Sequence, residues 1–288
     1  MAASDFDYQK AFSRNLGWVT PDEQTKIAGT RVGIIGMGGV GGQYAEVLAR
    51  LGVTKFSICD QDEFSMENTN RQNACQVENY GRPKVDVIRE RILSINPQAE
   101  VKVRNRFLQR VDIPAFCDEI DFYFDSLDFF VLDIREELFA QLRTKGKTAI
   151  SAAPIGTGSS AIVFDSNSMS FKDYFGLHST AVETHRNLLF LVGIAPSLQH
   201  TRYLVDPSYS NFQARKAPSL PLGVYSCAAT GGTIFLKTVL GRGQVLKAPW
   251  TVHYDPYLIS LKKSYTWLGY RNPIQKLKFF IVKKFLRL

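Results

Sequence analysis

The chain has few cysteines, and none of them stand close together. Its 288 residues include four, Cys59, Cys75, Cys117 and Cys227, and no two form a C-x-x-C pair. Structural zinc sites are commonly built from such pairs, and a disulfide framework needs a dense set of cysteines in a short chain. We therefore expect neither a structural zinc site nor a disulfide framework.

Long hydrophobic runs are also missing. No apolar run approaches the roughly 20 residues that a membrane-spanning helix needs. The N-terminal residues lack the basic segment and the apolar segment of a signal peptide. With 45% hydrophobic and 22% charged residues, the composition is that of an ordinary globular protein. We expect a cytoplasmic location.

Acidic residues are absent from one part of the chain, residues 261–288, which hold eight lysines and arginines. These eight account for the whole net charge of +8, because the rest of the chain has as many basic as acidic residues. The basicity is therefore local and is not evidence for a nucleic-acid-binding surface. We disfavour nucleic acid as a partner.

The same segment contains a helical pattern that begins after the breaker Asn272-Pro273. Apolar residues share one face and basic residues lie opposite: Ile274, Leu277, Ile281, Phe285 and Leu288 against Lys276, Lys283 and Arg287. Such a helix suits an anionic membrane surface or an acidic partner. It suits equally a helix that docks on its own domain or on the second subunit of a dimer, so both interpretations of residues 274–288 stay open.

The strongest pattern lies near the N-terminus, where an apolar strand at 32–35 runs into a glycine-rich turn. The glycines of this turn are Gly36, Gly38, Gly39 and Gly41, and three of them form a G-x-G-x-x-G motif. Glycine lets the backbone turn tightly and approach a phosphate, and the helix that follows directs free N–H groups at the anion. Asp60 ends the second strand, where a carboxylate can accept hydrogen bonds from ribose hydroxyls.

On these residues alone the pattern is typical of an NAD-dependent dehydrogenase. The polar residues that follow favour a triphosphate, because they add two fixed cations and a carboxylate suited to a metal ion. They are Asp62, Asn68, Arg71, Gln72 and Lys84. A dinucleotide needs fewer cations, since its diphosphate carries only two charges.

The ordered set of motifs resembles the ThiF/MoeB/HesA superfamily, the adenylate-forming fold shared with ubiquitin-activating enzymes. The matching segments are Asp60-Gln-Asp62, Glu67-Asn-Thr-Asn-Arg-Gln72, Gly81-Arg-Pro-Lys84, Ile95-Asn-Pro97 and Phe124-Asp-Ser-Leu-Asp128. Phe12-Ser-Arg-Asn-Leu-Gly17 is similar to the N-terminal arginine segment of the family. The resemblance covers residues 12–165 and resumes near 220–241, but the two C-x-x-C pairs of many relatives are missing.

The resemblance implies that three cations contact the triphosphate of ATP: Arg14, Arg71 and Lys84. In relatives the N-terminal arginine reaches the nucleotide of the other subunit, so Arg14 implies a homodimer. These three residues, together with Asp128, are the expected catalytic set.

The resemblance also implies roles for the remaining polar residues. Asp60 would hold the ribose, while Asn68 and Gln72 would position the nucleotide. Asp62 and Asp128 would lie beside a magnesium ion that binds through ATP. The expected cofactors are therefore ATP and Mg²⁺.

Strand and helix patterns alternate through the nucleotide-binding half. They predict a Rossmann-like, doubly wound, mostly parallel α/β sheet with helices on both faces, extended by C-terminal antiparallel strands and a terminal basic amphipathic helix. We expect one adenylation domain over residues 1–260, with a nucleotide-binding half at 28–153 and an acceptor-binding half at 154–260, followed by the tail at 261–288. Residues 165–219 show the least regular pattern, and 250–255 is predicted as the final edge strand.

Three further features have two interpretations each. Arg135 either reaches the site or pairs with a surface carboxylate such as Glu136 or Glu137, and we favour the pairing. The small-residue segment 152–160 forms either a groove for an extended peptide tail or a plain loop. Cys227, near a helix start, is either a reactive thiol or a small buried residue, and we favour the buried residue.

The expected function is ATP-dependent adenylation of a carboxylate, the C-terminal glycine of a ubiquitin-like or sulfur-carrier protein or of a peptide. Relatives that form thioesters carry their cysteine in the crossover region, and residues 165–219 contain none, so that step is not expected there. The alternatives are an NAD-dependent oxidoreductase, a non-catalytic nucleotide-binding scaffold, and an enzyme that adenylates a tRNA base or a small-molecule carboxylate.

Overall fold

The computed structural model describes residues 5–210, 215 and 217–286. The chain divides into two compact units, one formed by Met1–Ser126 with Ala228–Val245 and the other by Leu127–Cys227 with Leu246–Leu288. Among the described residues, no helix combines the length and the apolarity that crossing a membrane would require.

Helices and strands alternate through the first part of the chain and become mixed later. The helices are α1 (Tyr8–Ala11), α2 (Pro21–Gly29), α3 (Gly39–Leu51), α4 (Lys84–Ile95), α5 (Ile113–Asp118), α6 (Leu132–Thr144), α7 (Phe171–Phe175), α8 (Glu183–Ile194), α9 (Pro221–Leu240) and α10 (Pro273–Phe285). The strands are β1 (Arg31–Ile35), β2 (Lys55–Asp60), β3 (Glu100–Asn105), β4 (Phe122–Asp125), β5 (Thr148–Ile155), β6 (Gly158–Phe164), β7 (Trp250–Asp255) and β8 (Ser260–Tyr265).

The first unit contains four parallel strands in the order β3-β2-β1-β4. The chain moves outward from β1 to β3 and then returns to the other side of β1, so the strand order reverses between β1 and β4. Ile35 pairs with Cys59 of β2 and with Asp125 of β4, which aligns the carboxyl ends of the three strands. In parallel α/β sheets ligands bind at such a reversal, outside the carboxyl ends.

Helices cover both faces of this sheet, as β4 shows by the alternation of its side chains. Phe124 faces Tyr44 of α3 and Phe235 of α9, with ring centroids 4.6 and 5.9 Å away. Tyr123 points to the opposite face and meets Phe116 of α5 at 6.2 Å. The predicted doubly wound architecture is confirmed.

The second unit contains the antiparallel strands in the order β5-β6-β7-β8. The antiparallel C-terminal strands and the terminal helix α10 are therefore confirmed. The prediction that 250–255 is the edge strand is wrong, because β7 pairs with β6 on one side and β8 on the other. Strand β8 carries the sequence Ser-Leu-Lys-Lys-Ser-Tyr, which has little of the β-branched and aromatic character on which strand prediction depends.

The region predicted as least regular contains two helices, α7 and α8. Helix α8 buries Leu188 and Val192, which pack with Val282 of α10. Its start is hard to detect, because the residue at its N-cap is Val182, whose side chain makes no capping hydrogen bond. Of this region, residues 211–214 and 216 lie outside the described residues.

Candidate nucleotide-binding site

The glycine-rich turn directly follows β1, at the carboxyl edge of the parallel strands. Gly36 has φ of 91°, a left-handed conformation that L side chains rarely adopt. Gly41 is equally constrained, since an added Cβ would lie 1.7 Å from the carbonyl oxygen of Gly36. Helix α3 begins at Gly39 with Gly38 as an N-cap that offers no side chain, so its first N–H groups have no side-chain cap.

Asp60 connects the turn to the end of β2. Its Oδ2 accepts a hydrogen bond from the backbone N–H of Met37 at 2.5 Å, and its Oδ1 accepts one from the N–H of Asp62 at 2.7 Å. Burial raises the pKa of the Asp60 carboxyl, while these two hydrogen bonds and the charge of Lys84 act in the opposite direction. Asp60 thus fixes the shape of the turn, a role beyond the ribose contact implied by the resemblance.

Asp62 and Lys84 extend this connection to helix α4. The Nζ of Lys84 donates to Asp62 Oδ2 at 3.0 Å, and the backbone N–H of Lys84 donates to the carbonyl of Asp62 at 2.9 Å. The Lys84 side chain is only 7% exposed. A buried cation is therefore held at the first residue of α4, connected through Asp62 and Asp60 to the glycine turn.

Gln72 contributes a buried polar atom beside the same turn. Its Nε2 would lie 3.6 Å from a Cβ added at Gly38, so the carboxamide packs over the glycines. Its Oε1 is buried and has no hydrogen-bond partner among the described residues. A buried acceptor of this kind is costly unless a ligand or water donates to it.

Asn68 and Arg71 are bonded within their own loop. Asn68 Oδ1 accepts hydrogen bonds from the N–H and the hydroxyl of Ser65, each at 3.1 Å. Arg71 Nη1 donates to the carbonyl of Glu67 and to Oδ1 of Asn70, each at 2.9 Å. Asn68 therefore shapes the loop, and the guanidinium of Arg71 is held by neighbouring residues of the chain.

Arg14 lies apart from these contacts, exposed on a single 3-10 turn at Ser13–Asn15. The turn is anchored by the next residue, because Asn15 Nδ2 donates to the carbonyl of Leu51 at 3.2 Å and to Gln24 Oε1 at 3.1 Å. The position of Arg14 is thus fixed by the fold while its own side chain extends to the surface.

Asp128 belongs to the second unit and is exposed. Its Oδ1 accepts a hydrogen bond from the N–H of Phe130 at 2.9 Å. The loop around it is organised by Arg135, which donates to the carbonyls of Leu127 at 2.7 Å, Asp128 at 3.1 Å and Val131 at 3.1 Å.

Arg135 does not lie at the surface, whereas its pairing with a carboxylate such as Glu136 or Glu137 stays a prediction. Its side chain is buried, and the guanidinium stacks over the ring of Phe190 at 4.6 Å. The sequence offered no signal for this, because a buried arginine that binds several carbonyls has no characteristic spacing.

Metal and thiol chemistry have little support from side chains alone. The described residues include no group of three or more His, Cys, Asp or Glu side chains arranged to hold a metal ion. Cys227 is fully buried, in agreement with the packing interpretation, and burial raises the pKa of Cys59 to about 11.

A glycine turn at a strand-order reversal, followed by a helix start and an acidic residue at the end of the next strand, defines a nucleotide-binding α/β protein. The sequence from residue 12 to residue 262 matches the ThiF family. The chain belongs to this family, and the resemblance inferred from its motifs is confirmed.

Relatives with named activities match parts of the chain. The tRNA threonylcarbamoyladenosine dehydratase of Bacillus subtilis is 35% identical over 118 residues, which are 41% of this chain and 46% of that enzyme. The sulfur carrier protein ThiS adenylyltransferase of Escherichia coli is 28% identical over 162 residues, 56% of this chain and 63% of that enzyme. The first of these matches thus spans about half the length of the relative.

The fold is similar to that of E. coli MccB in its crystal structure with ATP. The two superpose with a TM-score of 0.68 over 88% of this chain and 71% of MccB, at 17% sequence identity. Identity this low shows a shared fold and leaves the chemistry to be argued from the residues.

Proposed function

We propose that this protein is an ATP-dependent adenylyltransferase that activates a carboxylate. The observation that carries the proposal is the hydrogen-bonded connection from the glycine turn through Asp60 and Asp62 to the buried ammonium group of Lys84. It places free helix N–H groups and a fixed cation in one structural unit at the edge of the sheet where phosphates bind. Relatives named as adenylyltransferases support the same class.

In the proposed reaction an oxygen of the carboxylate attacks the α-phosphorus of ATP. The bond from that phosphorus to the oxygen bridging to the β-phosphate breaks, and pyrophosphate leaves with the negative charge. The protein need not form a covalent bond, because orientation of the carboxylate and neutralisation of the phosphates supply the catalysis. Mg²⁺, when bound with ATP, would supply further charge neutralisation, and the family resemblance assigns Asp62 and Asp128 to it.

The polar groups around the glycine turn have the following roles in this proposal, while Asn68 shapes its loop. The N–H groups of residues 38–41 bind phosphate, and Lys84 provides positive charge to the leaving group. Asp60 accepts from the ribose, and Gln72 Oε1 accepts a hydrogen bond from the nucleotide or from a bound water. Arg71 would contact phosphate by releasing one of its two loop contacts.

The carboxylate is proposed to be the C-terminal glycine of a ubiquitin-like or sulfur-carrier protein or of a peptide. The support comes from relatives, one named for the sulfur carrier ThiS and another solved with the peptide MccA. The glycines of 152–160 do not add support. A Cβ at Gly156 would lie 2.2 Å from the hydroxyl of Tyr203, and one at Gly158 would lie 2.2 Å from the carbonyl of Tyr254, so both are required by packing within the chain.

A second candidate substrate is a carboxylate on a modified tRNA. It is favoured by the names of relatives 35% and 40% identical to parts of this chain, which are tRNA threonylcarbamoyladenosine dehydratases. The charge distribution opposes it, because the excess of basic residues is confined to 261–288. A tRNA-binding surface would be expected to carry basic residues around the nucleotide site as well.

Calorimetric titration with ATP and with NADH separates the adenylyltransferase from an oxidoreductase, and only ATP is expected to bind. ATP–pyrophosphate exchange is then measured with a peptide ending in Gly-Gly and with bulk tRNA as alternative probes. Exchange with the peptide supports the first substrate, and exchange with tRNA alone supports the second. ATP binding without exchange on either probe or on a set of small carboxylates would favour the non-catalytic scaffold.

Two variants with matched controls test the assignment of residues. Lys84→Ala and Asp128→Ala are expected to abolish exchange. Lys102→Ala and Asp86→Ala, which change exposed residues of the same two types, are expected to retain it. Undiminished exchange in Lys84→Ala or in Asp128→Ala would refute the role of that residue.

A further inference from the structure

Helix α10 is anchored to the second unit by one of its faces. Val282 packs with Leu188 and Val192 of α8, and Phe279 and Leu286 pack around this cluster. The structure therefore shows α10 docked on its own domain, which was one of the two interpretations of this segment. The docked face is different from the apolar face that the sequence pattern identified.

The predicted apolar face of α10 remains exposed. Ile274 and Leu277 are each 60% exposed, Ile281 is 54% and Phe285 is 48%, and Phe280 beside them is 65% exposed. Single exposed apolar residues are common on protein surfaces, but a continuous row of large ones usually marks an interaction site. We call this row the exposed stripe. Leu288, which the pattern also placed there, lies outside the described residues, as does Arg287.

Basic side chains follow the exposed stripe along the helix. Lys276 and Lys284 are exposed, and Arg271 is exposed just before the helix. Lys278 and Lys283 lie at the borders of the docked face and contact residues of the second unit. Their ammonium groups lie 2.5 Å from the carbonyl oxygen of Pro196 and 2.9 Å from His185 Nε2. No acidic residue occurs from 261 onward.

We propose that the exposed stripe binds an anionic membrane surface. An amphipathic helix that lies in the plane of the interface buries its apolar residues among the acyl chains and places its lysines at the headgroups. The docking of α10 on α8 already fixes which face points outward, so the helix need not rearrange to bind. A second copy of this chain is a poor occupant, because a symmetric contact through α10 would bring lysines against lysines.

The shape of the surface favours a membrane over an acidic protein. The exposed stripe is the convex side of a single helix, with positive charge distributed along its length and not gathered at one end. Trp267 and Leu268, just before α10 in the chain, are also 50% and 52% exposed. Tryptophan is favoured where headgroups meet acyl chains.

Vesicle flotation with the full chain tests the proposal. The probes are vesicles of phosphatidylcholine alone and of equal parts phosphatidylcholine and phosphatidylserine. The protein is expected to float with the anionic vesicles only, and added salt should reduce binding. Lys276→Gln/Lys284→Gln should lower the partition coefficient about 30-fold, since each lysine at an anionic surface contributes roughly a factor of five. Leu277→Gln/Ile281→Gln should lower it at least about tenfold.

Matched controls change exposed residues elsewhere in the chain: Lys10→Gln/Lys26→Gln for charge and Val77→Gln/Val111→Gln for apolar surface. All four double variants should unfold at the same urea concentration as the original protein, because every changed side chain is exposed. Equal loss of binding in variants and controls would overturn the proposal. Absence of flotation with the anionic vesicles would also overturn it. If the protein then bound soluble polyglutamate, the exposed stripe would instead bind an acidic protein.

Discussion

The ammonium group of Lys84 lies 3.0 Å from Asp62 Oδ2, yet the Lys84 side chain is 7% exposed and that of Asp62 is 56% exposed. The cation is thus the buried member of the pair, and the carboxylate faces solvent. The two residues should therefore respond differently to substitution.

We predict that Lys84→Met separates stability from function. Methionine fills much of the same buried space without a charge, and Asp62 can be hydrated once its partner is gone. The free energy of unfolding should stay within about 1 kcal/mol of the original value. ATP affinity should fall at least about tenfold, since a charge-assisted phosphate contact is lost.

Asp62→Ala is the matched comparison for this prediction. It leaves the buried ammonium group without its carboxylate and should cost about 1–3 kcal/mol of unfolding free energy in a urea titration. If Lys84→Met were the more destabilising of the two, the ion pair would be a structural feature and the phosphate role would lose its basis.

Two alanine substitutions in the glycine turn should likewise separate an effect on stability from an effect on ATP binding. At Gly41 an added Cβ would lie 1.7 Å from the carbonyl oxygen of Gly36, whereas at Gly38 its nearest neighbour is Gln72 Nε2 at 3.6 Å. Gly41→Ala should destabilise the first unit by several kcal/mol, on the order of other overpacked sites. Gly38→Ala should fold normally but bind ATP at least about tenfold more weakly, because the methyl group would occupy the space proposed for phosphate.

Circular dichroism melting and ATP titration distinguish the two effects. Unchanged ATP affinity in a folded Gly38→Ala variant would mean that the phosphates approach the turn elsewhere.

Arg14 leads to a prediction about subunits. It is exposed on a turn anchored to Leu51, and the family resemblance places the corresponding arginine in the nucleotide site of the other subunit. If the protein is a homodimer of this kind, Arg14→Ala and Lys84→Ala should each abolish pyrophosphate exchange alone. A mixture that has exchanged subunits should recover part of the activity, since one of the two sites in a mixed dimer then keeps both residues.

The mixing experiment uses equal amounts of the two variants, combined before and after a step that dissociates the dimer. No recovery after verified formation of mixed dimers would place Arg14 in the site of its own subunit or outside the site. A mixture of two preparations of Lys84→Ala serves as the negative control.

The nucleotide-binding half was predictable because its signals are local. The strand at 32–35 is continuously apolar, the glycines follow at once, and Asp60 comes where a parallel strand must end. The structure confirms β1, β2 and their shared edge. By contrast, α8 begins without a capping side chain, and β8 consists largely of lysine and serine, so both depend on tertiary packing that no local pattern encodes.

The sequence predicts a set of residues for the site but not the contacts that these residues make. Spacing identified Asp60 and Lys84, yet the hydrogen bonds of Asp60 to Met37 and Asp62 follow from the path of the turn. For Arg135, the local sequence did not predict the surroundings of the side chain. Its burial and its contact with the ring of Phe190 depend on a helix distant in sequence, whereas the adjacent Glu136 and Glu137 suggested a position at the surface.

The last prediction concerns the pH dependence of stability and rests on a pair of histidines, His253, which is buried, and His200, which is half-buried. The rings of His200 and His253 stack with centroids 6.3 Å apart. Burial lowers the pKa of His200 from 6.5 to about 4, and the neighbouring His253 contributes a smaller effect in the same direction. The charge of Asp255 acts in the opposite direction. Burial lowers the pKa of His253 as well.

The direction of the effect follows from proton linkage. Between about pH 6.5 and pH 4 the unfolded chain binds a proton at residue 200 while the folded chain does not, so unfolding becomes easier as the pH falls. The loss of unfolding free energy from His200 across this window is on the order of 3 kcal/mol. Urea titrations over this pH range should therefore show a steeper decline for the original protein than for His200→Asn, which carries no titrating group. The comparison uses slopes against pH, so any constant cost of the substitution cancels. Parallel slopes in the two proteins would mean that His200 is protonated in the folded state, and the acid sensitivity would then have to originate in the carboxylates.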